Sequence, residues 1–442
     1  MLPCDSQSTP AQRPAYLEIS DWENFVGPVL MALPEAVPAC VIEITDPVSR
    51  RLLYTYVGVT PTELPLQPGP PHAIFDQIKR ALPTPRAPAA GLPPFQGGLV
   101  GFVGYDHSRP ETCGGVLCVD RLLVIDHARH RGFYISYNAG SEAELHDQLA
   151  RWRSIGKNDT VVKRGTPTNE QWHHSLSKTE YCRIVAAAKR TIEEGKLLQV
   201  ILSLDLSRRA APLSYPLYRS LTHINAAQQN FYLRFAKTTL IGTPPSPYLR
   251  VHNGTATLEI GAGTRCVTGR TDEDDRSANE LRTDHKELAE HAMLVAQSVQ
   301  DMTHTGAVDV SPLEVRRFSH VMHLFTTLSM KLRPGSSAVD ILARAFPPTG
   351  STGTPREPAQ RAIASLEMMP RGPYGGIYFM IGRNLALDSA IIERSMWITD
   401  NQIHLRVGAG ITAGSVPEAE YAECMRKAEA LLLAVESAAG AS

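Results

Sequence analysis

The sequence predicts an α+β fold in which strands follow one another in groups and helices lie between the groups. Apolar, β-rich segments separated by turn residues occur in runs, and they do not alternate strictly with helical segments as in a doubly wound parallel sheet. The chain has 442 residues, 43% of them hydrophobic and 20% charged, which suffices for a large buried core. No internal repeat is visible, so we expect no solenoid or propeller.

Residues 1–165 are predicted to form a β-rich region that is integrated with the core. Its first 16 residues are polar and contain proline, which is typical of a frayed leader. The predicted elements that follow are two strands within 39–57, a proline-rich crossing with one short helix at 72–82, strands at 97–106, 116–127 and 131–138, a helix at 141–154 and a polar connector at 155–175.

Residues 166–442 are predicted to form the second region of the chain, because the periodicity becomes stronger there. The predicted elements are helices at 178–194, 276–301, 338–345 and 417–438, and strands at 197–206, within 230–260, and at 374–381, 389–398 and 402–408. Strands again occur in groups, which favours the same fold class.

Composition excludes several classes of function. The formal net charge is -1, so nothing indicates a nucleic-acid or anionic-membrane partner. Seven cysteines without a CxxC pair are typical of reduced, packed thiols and not of a disulfide framework or zinc cluster. The N-terminus lacks a basic segment followed by an apolar one, and no stretch approaches the ~20 apolar residues that span a bilayer. We therefore expect a cytoplasmic protein.

Two acidic helices are the first candidate site. Glu287 and Glu290 are three residues apart on one predicted helix face, and Glu420 and Glu423 share a face of the terminal helix. Carboxylates from two facing helices suit a hard cation such as Mg²⁺, with water and an anionic substrate completing the shell. The alternative, two solvated faces of amphipathic helices, is the commoner interpretation of either pattern alone.

Glycine-rich segments and isolated polar residues form weaker candidates. The segments 408–415 and 259–270 are predicted to leave strands as turns, whose backbone N–H groups can hold a carboxylate or phosphate or merely permit tight geometry. Arg394, in a strand, is suited to bind a carboxylate with its guanidinium, or to pair with a structural acid. His320 and His323 are candidates for proton transfer, or are buried core histidines.

Taken together, ordered segments of the chain resemble the chorismate-utilising enzymes, a family that includes anthranilate, aminodeoxychorismate, isochorismate and salicylate synthases. The segments cover roughly residues 97–435 and are GGLVGFVGYD, LLQVILS, GAGTR, ELAEHAMLV, HVMHLFTTL, FPPTGSTGTPRE, RGPYGGIYFMIGRNLALDSAIIERS and VGAGITAGSVPEAEYAE. The resemblance implies a two-layer β-sheet sandwich with outer helices, an active site between the sheets, and Mg²⁺ that holds a carboxylate of chorismate. It also implies that residues 166–442 form the chorismate-binding catalytic domain.

The resemblance also implies roles for individual residues. Glu290 and Glu423 match the metal-coordinating pair, with Glu287 and Glu420 beside them. The remaining matches are Tyr374 and Arg394 for the enolpyruvyl carboxylate, Gly408, Ala409 and Gly410 for the ring-side carboxylate, Gly263 and Thr264 for the loop beside the substrate, His323 for pyruvate elimination, and Gly350 in the proline-rich loop where a threonine is expected.

Two positions favour the ammonia-using branch of the family. Gln199 stands where isochorismate and salicylate synthases carry the lysine that activates water, and Lys196 is three residues from that position. Ala262 stands where many aminodeoxychorismate synthases carry a nucleophilic lysine. The combination favours anthranilate-type amination, and a 2-amino-2-deoxyisochorismate product with pyruvate retained is also compatible.

The chain departs from the family pattern at the general acid. The glutamate of the Ser-Pro-Glu motif becomes Ser246 or Tyr248, depending on the alignment. A serine hydroxyl cannot act as an acid near neutral pH, and a tyrosine would need its pKa of ~10 lowered considerably. Loss of this group predicts a slow enzyme, an altered reaction or a substituted acid.

Three functions therefore remain open. The leading one is Mg²⁺-dependent amination of chorismate with or without pyruvate elimination, with ammonia from a separate glutamine amidotransferase subunit or from solution. The second is pyruvate elimination from, or isochorismate-type chemistry on, a modified chorismate. The third is a non-catalytic paralogue that binds a ligand or partner, against which the retained glutamates, Tyr374 and Arg394 argue.

Overall fold

The computed structural model describes residues 14–20, 22, 26–110, 112–139, 141–157, 171–209, 214–303, 306–317, 321–333 and 335–440. Its strands form two antiparallel sheets of twelve and ten strands. The strands are, in chain order, β1 (Ala15–Ile19), β2 (Ala39–Thr45), β3 (Leu52–Val59), β4 (Thr62–Pro65), β5 (Gly98–Val103), β6 (Gly114–Val119), β7 (Arg121–Asp126), β8 (Arg131–Ser136), β9 (His173–His174), β10 (Gln199–Arg209), β11 (Gln229–Arg234), β12 (Thr238–Gly242), β13 (Pro247–His252), β14 (Thr255–Cys266), β15 (Asp309–Val310), β16 (Glu314–Arg317), β17 (Val321–Lys331), β18 (Gly353–Thr354), β19 (Ile377–Gly382), β20 (Leu387–Ile391), β21 (Ser395–Thr399) and β22 (Gln402–Ile411).

Helices cover the outer faces of the sheets. They are α1 (Val26–Ala32), α2 (Pro71–Ala81), α3 (Glu142–Lys157), α4 (Lys178–Glu193), α5 (Ser214–Ile224), α6 (Thr271–Thr283), α7 (His285–Thr303), α8 (Ala338–Arg344), α9 (Thr349–Thr352), α10 (Arg356–Leu366) and α11 (Pro417–Gly440). The helix α4 begins with a capping box in which the Ser177 and Glu180 side chains satisfy each other's backbone N–H groups.

The larger sheet has the order β1-β8-β7-β3-β2-β11-β12-β21-β22-β10-β18, with β9 also paired to β10. The smaller sheet has the order β15-β17-β14-β13-β20-β19-β5-β6-β4, with β16 also paired to β17. Strands from before residue 140 therefore lie in both sheets beside strands from after residue 225. The predicted division at 165/166 falls outside the described residues, so the two-region description stays a prediction.

The two sheets pack face to face around an aromatic core. The rings of Phe231 on β11 and Tyr378 on β19 stack with centroids 4.4 Å apart, which joins the larger sheet to the smaller one. A second core lies between the larger sheet and α4, α5, α10 and α11, and a third lies between the smaller sheet and α2, α7 and α8. This arrangement confirms the predicted two-sheet α+β sandwich with outer helices.

Most predicted elements are present, and two of them are divided. The predicted helix 276–301 is wrong as one element, because Asp284 adopts extended backbone angles between α6 and α7. The Asp284 carboxylate accepts hydrogen bonds from the backbone N–H groups of Lys286 and Glu287, so it caps α7. The predicted strand 389–398 is likewise divided into β20 and β21 by Arg394, whose φ is 47°. The sequence interpretation missed α5 and α10.

The described cysteines are in two states, because most are thiols and one is disulfide-bonded. Cys40, Cys113 and Cys424 are buried thiols that form no disulfide, as predicted. Cys118 is disulfide-bonded, and its partner is not among the described residues, so the prediction of reduced thiols is wrong at this position. Sequence spacing could not show this bond because it depends on which distant thiols meet. Within the part of the chain that the structure describes, no helix has the length and apolar character needed to cross a bilayer.

Candidate active site

The candidate site is built around the end of β22. The segment 408–411 is strand and not the predicted turn, because it pairs with β10, with Ser203 opposite Gly408 and Ile201 opposite Gly410. Pairing of β22 with β21 ends at Leu405, so its other edge has no strand beside residues 406–411 among the described residues. On this stretch the Lys427 ammonium of α11 donates to the Gly408 carbonyl at 2.9 Å.

The side-chain alternation of β22 explains why glycines flank Ala409. Ala409 is buried in the core between the larger sheet and its helices. A Cβ on Gly408 would lie 2.6 Å from the Tyr374 hydroxyl, and a Cβ on Gly410 would lie 3.1 Å from Nε2 of Gln199. Gly408 and Gly410 therefore permit two predicted site residues to approach the strand backbone closely.

A buried ion-pair network holds the loop that carries Tyr374. Arg371 donates to Glu367 at 2.6 Å, to the Ser351 carbonyl at 2.7 Å and to the Ile201 carbonyl at 2.6 Å. Its guanidinium also lies over the Tyr374 ring at 5.9 Å from the centroid. Burial raises the pKa of Tyr374, so its hydroxyl remains protonated and can donate a hydrogen bond.

Arg394 lies at the bend between β20 and β21, on an exposed part of the candidate site. The backbone of the bend is fixed, since the Arg394 carbonyl accepts from the Thr243 N–H at 3.2 Å. The positive charge of Arg394 acts on His323, whose pKa it lowers together with the larger effect of burial. Arg394, between a strand of the smaller sheet and a strand of the larger one, thus lies within electrostatic range of His323 on β17 of the smaller sheet.

His323 is positioned by the bulge in β14. Thr264 of β14 pairs with His323 of β17, and the register shifts between Ala262 and Thr264. The bulged residue, Gly263, has a φ of 67°, and its carbonyl lies 3.0 Å from Nδ1 of His323. If Nδ1 donates this hydrogen bond, Nε2 is the basic nitrogen of a neutral ring. His320 lies outside the described residues.

The predicted metal ligands lie on helices whose N-terminal ends approach the same turn. The Lys286 ammonium of α7 lies 3.1 Å from the position of a Cβ on Gly414, directly before α11. Lys286 also lies 3.8 Å from Glu290, and its charge partly offsets the burial that raises the pKa of Glu420. The first turns of α7 and α11 are therefore neighbours, which sequence spacing alone could not establish.

The four carboxylates are not gathered into one cluster. Glu287 lies 3.4 Å from Arg265, and Glu423 lies 2.8 Å from Lys427. Among the described residues, no three His, Cys, Asp or Glu side chains are close enough together to hold a metal ion unaided. Glu290 differs from the others in that its buried Oε1 accepts no hydrogen bond. Burial raises the pKa of both Glu290 and Glu420. The role of the four as ligands stays a prediction.

Gln199 and the proline-rich loop close another side of the candidate site. Gln199 begins β10 and lies opposite Thr354 of β18. The strand β18 follows α9, which contains Gly350. The Ser351 hydroxyl donates to the Gly375 carbonyl at 2.7 Å and so joins this loop to the Tyr374 loop. Lys196 is exposed and pairs with Glu194 at 2.7 Å, away from the Gln199 carboxamide that contacts Gly410.

Comparison with known proteins decides the family. Residues 70–433 match the family of chorismate binding enzymes. The chain belongs to this family. The anthranilate synthase component 1 of Streptomyces coelicolor is 34% identical over 424 residues, which cover 88% of this chain and 82% of that protein. The anthranilate synthase component 1 of Acetivibrio thermocellus is 35% identical over 381 residues, which cover 78% of this chain and 76% of that protein.

Solved structures of chorismate-binding enzymes share the fold. Anthranilate synthase component I of Streptococcus pneumoniae has a TM-score of 0.70 at 24% identity and covers 96% of this chain and 93% of its own. The menaquinone-specific isochorismate synthase of Escherichia coli has a TM-score of 0.73 at 21% identity and covers 97% of this chain and 96% of its own. Both enzymes therefore support the two-sheet architecture, and at these identities they support the fold alone.

The two candidates for the missing general acid of this chorismate-binding enzyme differ in their surroundings. The buried Tyr248 hydroxyl donates to the Ala345 carbonyl at 3.0 Å, and burial raises its pKa. Tyr248 belongs to the outer core between the smaller sheet and its helices, so it does not face the groups around Gly408. Ser246 is partly exposed, and its hydroxyl is no acid near neutral pH.

Sequence interpretation missed two charged residues beside the predicted ones. Lys427 bonds both Glu423 and the Gly408 carbonyl, and its position four residues after Glu423 on one helix was an available signal. Glu393 directly precedes Arg394 and acts electrostatically on Tyr374. An acid inside an otherwise apolar strand segment was the signal that could have identified it.

Proposed function

We propose that this chain catalyses the Mg²⁺-dependent amination of chorismate by ammonia, with or without elimination of pyruvate, as in anthranilate synthesis. The observation that carries the proposal is the close approach of the Tyr374 hydroxyl to Gly408, and it is supported by a buried Glu290 oxygen that accepts no hydrogen bond. A hydrogen-bond donor for a substrate carboxylate, together with an acid whose oxygen accepts no hydrogen bond, suits a dicarboxylate held partly by a metal ion.

In this proposal Arg394 and Tyr374 bind the enolpyruvyl carboxylate. The Arg394 guanidinium supplies charge and several N–H donors, and the protonated Tyr374 hydroxyl supplies one donor. The ring-side carboxylate lies against the edge of β22 at Gly408, Ala409 and Gly410, where no strand pairs in the described structure. Binding at both ends holds the ring in one orientation, and this is a main source of rate enhancement.

Mg²⁺ fits the residues present. A buried carboxylate oxygen without a hydrogen-bond partner, as at Glu290, is unfavourable unless a cation or a proton accompanies it. Glu290 and Glu423 would hold the ion, with Glu287 and Glu420 beside them, and oxygen donors are the ligands that Mg²⁺ prefers. When bound, the ion supplies positive charge for the ring-side carboxylate.

Gln199 supports ammonia rather than water as the nucleophile. Water needs a base that removes its proton, whereas ammonia already carries a basic lone pair. The group next to Gly410 is the neutral Gln199 carboxamide, and Lys196 is paired with Glu194 on the surface. Ammonia would come from solution or from a glutamine amidotransferase subunit that docks on this chain.

Pyruvate elimination is assigned to His323. A neutral imidazole whose Nδ1 is hydrogen-bonded to the Gly263 carbonyl has a basic Nε2 that can accept the ring proton. Thr264 and Gly263 shape the same side of the site, because they pair with or bond His323.

A specific observation also favours the second candidate function, in which the chain eliminates pyruvate from an already modified chorismate. This reaction needs His323 but no acid for a departing hydroxyl, and Tyr248 is bonded to Ala345 instead of facing the site. The two functions differ in which substrate is consumed.

The test is to incubate the purified chain with Mg²⁺ and ammonium plus chorismate, isochorismate or the 2-amino derivative. We expect chorismate to be consumed, with anthranilate fluorescence or, by mass spectrometry, an aminated product that retains pyruvate. Consumption of the 2-amino derivative but not of chorismate would replace the first function by the second. No consumption of chorismate, with or without an added amidotransferase subunit, contradicts the proposal.

A further inference from the structure

The amination leaves one chemical requirement unassigned. Chorismate must lose its 4-hydroxyl, and hydroxide is a poor leaving group unless it is protonated as it departs. Tyr248 donates to Ala345, and Ser246 is no acid near neutral pH, so neither motif candidate supplies this proton.

The backbone around Glu393 is held on both sides. The Ile392 N–H donates to the Gly376 carbonyl at 2.9 Å, and the Gly375 N–H donates to the Ile392 carbonyl at 2.8 Å. The Ser395 hydroxyl donates to the Glu393 carbonyl at 2.9 Å. The bend between β20 and β21 is thus fixed to the Tyr374 loop, and Glu393 has a defined position beside it.

The half-buried carboxyl of Glu393 lies within electrostatic range of predicted substrate-binding groups. Its charged and titratable neighbours are Arg394 on the same bend, Lys427 on α11 and Tyr374 before β19. The Glu393 carboxyl has no hydrogen bond or ion pair with any described residue, although part of the side chain remains accessible. A half-buried carboxyl to which no described residue donates a hydrogen bond is available to a ligand.

We propose that Glu393 is the proton donor for the departing 4-hydroxyl and replaces the glutamate that the Ser-Pro-Glu position lacks. The assignment rests on the proposed amination. In chorismate the enolpyruvyl ether is on C3 and the hydroxyl is on the adjacent C4. When Arg394 and Tyr374 bind the enolpyruvyl carboxylate, C4 is therefore brought near the residue next to Arg394. Glu393 is that residue.

The step balances without a further reactant. The lone pair of ammonia forms the C2–N bond, the two ring double bonds shift, and the C4–O bond breaks. The Glu393 carboxyl proton goes to the departing oxygen, which leaves as water, and the Glu393 carboxylate takes up a proton from the new ammonium group. Glu393 thereby returns to its starting state.

The surroundings of Glu393 favour the protonated form that this step needs. Burial raises the pKa of Glu393, while the charges of Arg394 and Lys427 lower it. Lys427 is already paired with Glu423, and a substrate carboxylate on Arg394 would neutralise the other cation. Substrate binding should therefore raise the pKa of Glu393 further.

The test compares Glu393→Gln and Glu393→Asp with the wild-type chain. Glutamine keeps the size but has no acidic proton, so kcat for chorismate consumption should fall by about 10²–10⁴-fold, the usual contribution of a general acid. KM should change by less than about threefold, because Glu393 is not a substrate anchor. Aspartate should restore part of kcat. Glu429→Gln, an exposed glutamate of α11, is the matched control and should match wild type.

The pH profile separates proton donation from a structural role. A donor must be protonated, so wild-type kcat should fall as pH rises through the pKa of Glu393, and the Gln variant should lack this limb. If the wild type consumes chorismate and Glu393→Gln is unimpaired, the assignment of the proton donor to Glu393 is wrong and the proposed function stands. The same holds if Glu393→Gln differs from wild type only in binding chorismate more tightly. Wild-type protein that consumes no chorismate would overturn the proposed function and the assignment with it.

Discussion

Two regions of this molecule bury carboxylates in opposite ways. At the end of α10, Glu367 accepts from Arg371 at 2.6 Å, from Arg406 at 2.8 Å and from the Ser203 N–H at 2.8 Å, and these groups hold its pKa below the ordinary value despite burial. Beside the turn before α11, the buried Oε1 of Glu290 has no hydrogen-bond partner, and burial raises the pKa of Glu290.

The difference distinguishes a structural acid from a ligand-binding one. A buried carboxylate whose partners all come from the protein fixes the positions of those partners. The Glu367 network joins β10, β22 and the Tyr374 loop in this way. A buried carboxylate oxygen that accepts no hydrogen bond, as at Glu290, is instead suited to bind a cation, because no protein donor occupies it.

The largest expected effect follows from removing the charge of Glu290. Glu290→Gln should lower Mg²⁺ affinity by at least about 100-fold, since even outer-shell partners of metal ligands account for 10–100-fold. Chorismate turnover at low Mg²⁺ should fall with it. Without Mg²⁺ the variant should be as stable as wild type or more stable, because it removes a buried charge whose Oε1 accepts no hydrogen bond and whose neighbouring cation, Lys286, is 3.8 Å away.

Thermal unfolding with and without Mg²⁺ measures both effects. Wild type should unfold at a higher temperature with Mg²⁺, by the usual linkage of binding to stability, and Glu290→Gln should not. Glu280→Gln, an exposed acid on α6, is the matched control and should respond as wild type does. A full Mg²⁺ response in Glu290→Gln would remove Glu290 from the metal site.

The same substitution in the paired region should act in the opposite direction. Glu367→Gln leaves Arg371 and Arg406, each with side chains 2% exposed, without their carboxylate. Breaking such a buried pair destabilises a protein by about 3–5 kcal/mol, which urea unfolding would measure. Glu357→Gln, whose exposed partner Arg361 lies 3.8 Å away, should change stability by less than about 0.5 kcal/mol.

The network also predicts a pH dependence. The pKa of Glu367 is lowered from the ordinary 4.5, so its contribution is present above the unfolded-state value and is lost as pH falls through the folded-state value. Wild type should therefore lose stability on the acid side of about pH 4.5, and Glu367→Gln should lose less over the same range. Parallel acid limbs for the two proteins would show that Glu367 is not the titrating group.

The sequence predicts much of this fold because each apolar strand carries its own signal. The runs that become β5, β6, β7 and β8 are apolar along their length, as expected of strands covered on both faces. The division of the predicted helix 276–301 was not predictable in the same way, because an interior Asp284 becomes a cap only when the chain turns there.

The candidate site is predictable where a motif carries it and not where distant segments meet. Tyr374, Arg394 and His323 stand in segments that resemble a known family, so their proximity could be expected. The bond from Lys427 to the Gly408 carbonyl depends on how α11 packs on β22, which no local pattern encodes. The partners of Glu367 likewise come from β10, β22 and the loop before β19.

A smaller effect should come from a substitution at Gly408, which contacts Tyr374 on the loop that the Glu367 network holds. In Gly408→Ala the new Cβ would lie 2.6 Å from the Tyr374 hydroxyl and 2.8 Å from the Leu202 carbonyl, so Tyr374 must move while the backbone cannot. Overpacking of this kind destabilises by about 1–3 kcal/mol, and KM for chorismate should rise because Tyr374 no longer reaches its carboxylate.

Gly27→Ala, a helix position with open space around it, should be neutral or stabilising by up to about 1 kcal/mol. If Gly408→Ala keeps the wild-type KM, Tyr374 binds no substrate carboxylate, and the Glu367 network would then support β22 alone.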